Sequence, residues 1–184
     1  MTTALLLIDI QNDYFPGGKM ALERMVEAAG NARALLEAFR TRGLPVIHVR
    51  HLSVRPGAGF FVPGTPGADI HAQVAPVAGE KVIEKNYPNS FRNTPLGDEL
   101  RRGGIDGLVI AGAMSHMCVD ATVRAAFDLG FRCTVAQDGC AARALEFGGT
   151  IIGEREVHGA FMAALRVPYA SVLGTREAVA SLNH

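Results

Sequence analysis

The stretch LVIAGAMSHMCVDATVRAAFDLGF, from Leu108 to Phe131, joins an apolar run to a helical pattern through the short turn GAMSHM. Cys118 ends this turn, where the helical pattern begins. Apolar residues then recur near helical spacing until Gly130, which predicts a strand, a turn and an amphipathic helix. A free cysteine usually packs as a small apolar residue. The remaining segments of the chain therefore decide whether Cys118 is core or a nucleophile.

Short apolar runs alternate with helical patterns along the whole chain. Nearly continuous apolar runs are typical of parallel strands that are covered on both faces. The predicted strands are 4–10, 45–50, 81–85, 107–112, 132–138 and 169–174. The predicted helices are 24–42, 91–102, 117–129, 154–165 and 175–182. This alternation predicts an α/β protein with a mainly parallel sheet sandwiched between helices, in a single domain over residues 1–184.

The composition is that of an ordinary globular protein. Apolar residues make up 48% of the 184 residues, and 18 Lys and Arg balance 18 Asp and Glu. Balanced charge gives no global field that would attract nucleic acid or an anionic membrane. Three cysteines without C-x-x-C spacing argue against a disulfide framework or a cysteine-rich zinc site. The N-terminal apolar run is too short to span a membrane, so we expect a cytoplasmic protein.

Three reactive side chains fall at the carboxyl ends of predicted strands, where open parallel sheets bind ligands. Asp9 lies near the end of the first strand, Lys85 ends the third, and Cys118 follows the fourth. Considered singly, Asp9 could cap a turn, Lys85 could be a surface charge, and Cys118 could be a core residue. Together they match a base, a cation and a nucleophile. Because a helix N-terminus and a nearby ammonium both lower the pKa of a thiol, we expect Cys118 to be activated.

The motifs LLLIDIQNDYF, EKNYPNSF and GAMSHMCVDATVRAAFDLGF together resemble the isochorismatase-like (cysteine hydrolase) family. The resemblance covers essentially the whole chain and implies a Rossmann-like, three-layer α/β/α sandwich with a six-stranded parallel sheet. It implies a catalytic triad of Asp9, Lys85 and Cys118. It also implies a cis peptide at Ala113–Met114, and an oxyanion hole formed by the N–H groups of Met114 and Cys118.

The resemblance also limits the reaction. The family includes nicotinamidases, N-carbamoylsarcosine amidohydrolase, streptothricin hydrolase and isochorismatases, and the last can cleave a vinyl ether without a cysteine. The presence of Cys118 therefore favours hydrolysis of a C–N bond in a small amide, ureide or lactam through a thioester. The alternatives are an isochorismatase-type ether or ester hydrolase with Asp9 as the acid, and a nicotinamidase. The overall pattern is closer to streptothricin hydrolase than to nicotinamidases.

The region after the second strand, VIHVRHLSVRPGAGFF, lacks the Asp-x-His cluster with which nicotinamidases usually bind a metal. His48 and His51 are present, but a histidine inside a strand is more often a core residue than a ligand. The segment DIQNDYFPGG after the first strand also lacks a phosphate-binding glycine motif, which argues against a nucleotide or flavin module. We therefore predict no catalytic metal and no other cofactor.

Candidates for the substrate pocket come from three segments. An aromatic residue of the first motif often lines the site in this family, which points to Tyr14. Phe60 and Asn86 are further candidates from loops, and the long segment 52–79 is expected to be a lid, an oligomer contact or a solvated excursion. The resemblance also implies a homo-oligomer, a dimer or larger. We expect no partner beyond this and a small amide-like substrate.

Overall fold

The computed structural model describes residues 2–183 and centres on a six-stranded, all-parallel sheet. The strands in chain order are β1 (Thr2–Ile8), β2 (Val46–His51), β3 (Lys81–Lys85), β4 (Ile105–Ala113), β5 (Arg132–Ala141), β6 (Leu145–Phe147), β7 (Thr150–Ile152) and β8 (Ser171–Leu173). The sheet has the order β3-β2-β1-β4-β5-β8, while β6 and β7 form a separate antiparallel hairpin. The order reverses between β1 and β4, which creates a crevice beyond their carboxyl ends.

Five α-helices of the described residues cover the two faces of this sheet. They are α1 (Met25–Thr41), α2 (Leu96–Arg102), α3 (Asp120–Asp128), α4 (Glu154–Leu165) and α5 (Thr175–Ala180). Buried residues of α1 and α5 belong to one apolar core, and those of α2, α3 and α4 belong to the other. The predicted three-layer sandwich with a six-stranded parallel sheet is confirmed.

The central strand β1 explains why apolar residues follow one another without a break. Leu5 and Leu7 point into the core beneath α1, whereas Leu6 and Ile8 point into the opposite core. Successive side chains of a strand face opposite sides of a sheet. A strand that is covered on both sides therefore needs an apolar residue at every position.

Several element bounds differ from those predicted from the sequence. Strand β1 ends at Ile8, so Asp9 lies one residue beyond the strand and not within it. Helix α2 begins at Leu96 instead of residue 91, because Pro95 disfavours helical backbone at the preceding residue. The predicted helix 117–129 is divided into a π-helical turn, Ser115–Val119, and α3.

The β6–β7 hairpin has no counterpart among the predicted elements. Its turn is formed by Gly148 and Gly149, both with positive φ, at 58° and 76°. Two-residue hairpin turns require this left-handed backbone, for which glycine is the favoured residue. Among residues 2–183, no helix has the length and apolar character to cross a bilayer.

Candidate active site

Asp9, Lys85 and Cys118 meet at the carboxyl edge of the sheet. Lys85 Nζ lies 2.7 Å from Asp9 Oδ2 and 3.2 Å from Cys118 Sγ. The exposed fractions of the three residues are 0%, 1% and 6%. A buried ammonium needs compensating partners, and Lys85 is placed between the other two members of the predicted triad.

His51, the last residue of β2, completes the surroundings of the ammonium. Lys85 Nζ lies 3.2 Å from His51 Nδ1 and donates to the backbone carbonyl of Tyr87 at 3.1 Å. Burial and the neighbouring Lys85 charge lower the pKa of His51 to about 4. The imidazole is therefore neutral near pH 7 and accepts a hydrogen bond at Nδ1. Sequence reasoning missed this contact, although His51 ends a strand at the same edge as Lys85.

The charges of the site do not activate Cys118 in the way its position suggests. Burial opposes the charge of Lys85, but Asp9 and Cys118 outweigh burial and raise the pKa of this ammonium. Burial, followed by the negative charge of Asp9, raises the pKa of the Cys118 thiol despite the opposing effect of Lys85. The expectation of a lowered thiol pKa is wrong for this state. Cys118 is therefore a neutral thiol beside the Asp9 carboxylate.

The backbone of Asp9 turns sharply at the end of β1. Its φ is +53°, its N–H donates to the Val49 carbonyl, and its carbonyl accepts from the Gln11 N–H. Oδ2 is ion-paired with Lys85 Nζ at 2.7 Å, and the Cys118 thiol is hydrogen-bonded to the same carboxylate. Cys118 Sγ and an Asp9 carboxylate oxygen lie within 4.8 Å of each other.

The turn between β4 and Cys118 has an unusual backbone. The Ala113–Met114 peptide is cis, as the family resemblance implies, and a π-helical turn follows over Ser115–Val119. The Met114 carbonyl accepts from the N–H groups of two residues in this turn, Met117 and Val119. For the described residues, no backbone bond outside regular helices and strands engages the N–H of Met114 or Cys118.

Gly112 allows β4 to approach β1 at the start of this turn. Its φ is +139°, and a Cβ at this position would lie 2.0 Å from the Ile8 carbonyl oxygen. Backbone atoms cannot yield as a flexible side chain can, so a side chain here would push the two strands apart. Glycine therefore keeps the Cys118 turn close to the Asp9 turn.

Ser115 attaches the turn to the next two elements. Its buried hydroxyl lies 3.1 Å from the Ala141 carbonyl of β5 and 2.8 Å from His158 Nδ1 of α4. Since the hydroxyl has one proton, it donates to the carbonyl and accepts from the His158 N–H. Sequence reasoning did not identify His158.

A cavity of about 390 Å³ opens onto Cys118. The three predicted pocket residues, Tyr14, Phe60 and Asn86, all line it. Tyr14 packs edge-on against Phe61, with ring centroids 4.6 Å apart. Burial, supported by the negative charge of Asp9, raises the pKa of Tyr14, which is therefore a neutral phenol. The complete lining comprises Tyr14, His51, Ser53, Val54, Arg55, Pro56, Gly57, Ala58, Phe60, Phe61, Asn86, Pro88, Met114, Met117 and Cys118.

The first part of segment 52–79 forms much of the cavity wall. We call residues 53–61 the cavity loop; its ends are joined by the Ser53 N–H and the Phe61 carbonyl at 2.9 Å. The Asp13 carboxylate accepts from the Phe61 N–H at 2.6 Å, which holds Phe61 at φ +53°. Gln11 bonds to the backbone of His51 and Ala68, which lie before and after the cavity loop in the chain. Sequence reasoning identified neither the contact of Asp13 with the loop nor those of Gln11 beside it.

The geometry does not favour a metal ion at this site. In the described part of the chain, Asp9, His51 and Cys118 are the one group whose side chains could share a metal ion. Lys85 Nζ already lies 2.7 to 3.2 Å from each of these side chains, so a metal ion would have to displace a paired ammonium. His48 is bound elsewhere, to Glu80 at 2.9 Å, as expected for a core histidine.

Comparison with known proteins finds one family across most of the chain. The isochorismatase domain model matches residues 3–167. The isochorismatase family protein YddQ of Bacillus subtilis is 52% identical over 175 residues, which cover 95% of this chain and 97% of that protein. Streptothricin hydrolase of Streptomyces noursei is 36% identical over 135 residues, which cover 73% of this chain and 48% of that enzyme.

The fold is likewise found among solved structures. A putative isochorismatase hydrolase from Oleispira antarctica superposes with a TM-score of 0.94 at 50% identity, covering 97% of this chain and 96% of that one. At this identity and coverage, the two chains share the fold over nearly their whole length.

Proposed function

The chain belongs to the isochorismatase family of hydrolases, and from this premise we propose that it hydrolyses a C–N bond in a small amide, ureide or lactam. One observation carries the proposal: Lys85 holds Asp9 and the Cys118 thiol together at the floor of the cavity. The similarity to streptothricin hydrolase agrees with a hydrolase. A nucleophile beside a base is the arrangement needed for covalent catalysis.

In the first step, Cys118 Sγ attacks the carbonyl carbon of the substrate and forms a C–S bond. The thiol proton passes to the neighbouring carboxylate of Asp9, to which the thiol is hydrogen-bonded. Because the thiol pKa is raised, proton transfer accompanies attack and does not precede it. Lys85 stabilises the charge that develops on sulfur, since its own pKa is raised and it stays protonated.

The carbonyl oxygen becomes an oxyanion during attack. We assign its stabilisation to the N–H groups of Met114 and Cys118, which have no other backbone acceptor outside regular elements in the described residues. Removing one such donor commonly costs about 10²–10³-fold in kcat. Protonated Asp9 then gives its proton to the nitrogen, the C–N bond breaks, and ammonia or an amine leaves a thioester on Cys118.

Water completes the cycle. Asp9 accepts a proton from the water that attacks the thioester, the C–S bond breaks, and the proton returns to sulfur. The acid product leaves with both of its oxygens, one from the substrate and one from water. The neutral thiol and the ion-paired carboxylate are then restored.

A panel of small amides, ureides and lactams, assayed for ammonia or acid release, tests the proposal. Cys118→Ala should abolish release, and mass spectrometry of the wild-type enzyme with substrate should find an acyl group on Cys118. All three cysteines are buried, but only Cys118 lines the cavity, so a haloacetamide should alkylate Cys118 faster than Cys133 and Cys140. Turnover that survives in Cys118→Ala but is lost in Asp9→Asn would instead assign ether or ester cleavage with Asp9 as the acid.

A further inference from the structure

The cavity wall carries an uneven charge. Among the lining side chains, Arg55 has a permanent positive charge, and no carboxylate lines the cavity in the described residues. His51, the other basic residue of the wall, is neutral near pH 7. Lys85 lies behind the wall and is neutralised by Asp9. The cavity beside Cys118 therefore has one positively charged side chain in its wall, that of Arg55.

Arg55 is also without a protein partner. In residues 2–183 its guanidinium makes no ion pair and no side-chain hydrogen bond. Arg40 bonds to Glu80 and Arg124 to Asp120, whereas the exposed Arg166 and Arg176 also lack a side-chain bond. What distinguishes Arg55 from those two is its place on the cavity wall. A guanidinium presents a planar set of donors that matches a carboxylate. Arg55 lines the cavity and is exposed, so a ligand in the cavity has a guanidinium within the wall that encloses it.

The remaining wall is suited to an uncharged, partly planar body. Tyr14, Phe60 and Phe61 form a contiguous aromatic group, with centroid distances of 4.6 to 6.3 Å. A volume of about 390 Å³ admits a small molecule and not a polymer. The ligand thus needs an acyl carbon at Cys118, an apolar middle and a group that Arg55 can pair.

We propose that Arg55 is a specificity-determining residue that binds the carboxylate of an anionic substrate, a small amide whose far end carries the negative charge. The proposal rests on the proposed amide hydrolysis, since it names the substrate class of the same site. It also implies discrimination against cationic amides, which would meet an unpaired guanidinium without a compensating acid in the wall.

Alkylation of Cys118 tests the anion subsite without knowledge of the substrate. The probes are iodoacetate and N-iodoacetylglycine, each compared with its uncharged amide, and the readout is the rate of Cys118 modification by mass spectrometry. Two probe lengths allow for the reach between Arg55 and sulfur. The ratio of carboxylate to amide rates cancels general changes in the reactivity of Cys118.

Arg55→Gln should lower this ratio about fivefold for at least one probe length, which is the size expected for an exposed ion pair. Arg55→Lys should retain most of the preference because it keeps the charge. Arg176→Gln removes an exposed charge of α5 that lines no part of the cavity and should leave the ratio unchanged. An unchanged ratio in Arg55→Gln, or an equal fall in Arg176→Gln, would overturn the proposal.

Turnover separates this proposal from the broader one. Succinamate and its neutral diamide, succinamide, should be hydrolysed in a ratio that falls in Arg55→Gln. If neither amide nor any other amide is hydrolysed, while the alkylation ratio still depends on Arg55, then amide hydrolysis fails and the anion subsite stands. If amides are hydrolysed but neither ratio depends on Arg55, amide hydrolysis stands and the anion subsite fails.

Discussion

Two clusters of this molecule each combine a carboxylate, a histidine and a cation, but they satisfy the carboxylate differently. Glu80 accepts from Arg40 Nε at 2.7 Å and Nη2 at 2.8 Å, from His48 Nε2 at 2.9 Å, and from the Val77 N–H at 3.0 Å. Asp9 is more deeply buried, yet it has fewer partners, namely the Lys85 ammonium at 2.7 Å from Oδ2 and the Cys118 thiol.

The difference separates a structural cluster from a reactive one. Burial works to raise the pKa of Glu80, but its donors outweigh burial and lower it to about 2. A carboxylate with four donors is fixed as an anion and has no lone pair to give. Asp9 has a neighbouring thiol among its few partners, and in the proposed mechanism it takes up the thiol proton and releases it. A buried carboxylate beside a thiol and an ammonium is thus a candidate for proton transfer.

The largest effect on turnover is expected from Asp9→Asn, which tests whether this carboxylate is reactive. An amide cannot accept the Cys118 proton, so kcat should fall about 10²–10⁴-fold, measured on any amide that the wild-type enzyme hydrolyses. Circular dichroism should show that the fold persists. If Asp9→Asn kept wild-type kcat, Asp9 would be as structural as Glu80.

The reciprocal change, Glu80→Gln, should act on stability. It weakens charge-assisted bonds to Arg40 and His48, and we expect a loss of about 2 kcal/mol in the free energy of unfolding. Urea denaturation measures this loss. The variant should keep its kcat within about twofold of wild type, because the cluster lies outside the cavity. A fall in kcat like that of Asp9→Asn would show that the two clusters do not divide these roles.

Ser115→Ala tests the hydrogen bonds that attach the Cys118 turn to β5 and α4. Loss of the bonds to Ala141 and His158 should loosen the backbone around Met114 and lower kcat about tenfold, with KM less affected. The control is His158→Asn, whose side-chain N–H can still donate to Ser115. This variant should therefore retain most of the wild-type kcat. Equal losses in kcat and affinity for substrate would contradict a role confined to the transition state.

The smallest expected effect concerns pH. His51 has a pKa of about 4 in the folded protein, below the ordinary value of 6.5. As pH falls from 6.5 towards 4, the unfolded chain gains a proton that folded His51 does not take up, so stability decreases. His51→Gln should reduce the slope of unfolding free energy against pH by at most one proton, measured by urea denaturation between pH 7.5 and 5. An unchanged slope would contradict the lowered pKa.

Strand ends were the part of this molecule that sequence could predict. Asp9, Lys85 and Cys118 follow apolar runs, and parallel topology brings such ends to one edge. The contact of His51 with Lys85 depends on the register of β2 against β3, which the apolar pattern does not specify. The raised pKa of Cys118 depends on burial by distant segments and was predicted in the wrong direction.

The backbone bond between Ser53 and Phe61 has a practical consequence. Because the cavity loop begins and ends at one point, its interior can be exchanged as a cassette while the strand that carries it stays in place. The reacting atoms are on other strand ends and do not depend on the loop's length. Libraries of variants confined to residues 54–60 would therefore change substrate selectivity while Asp9, Lys85 and Cys118 stay in place.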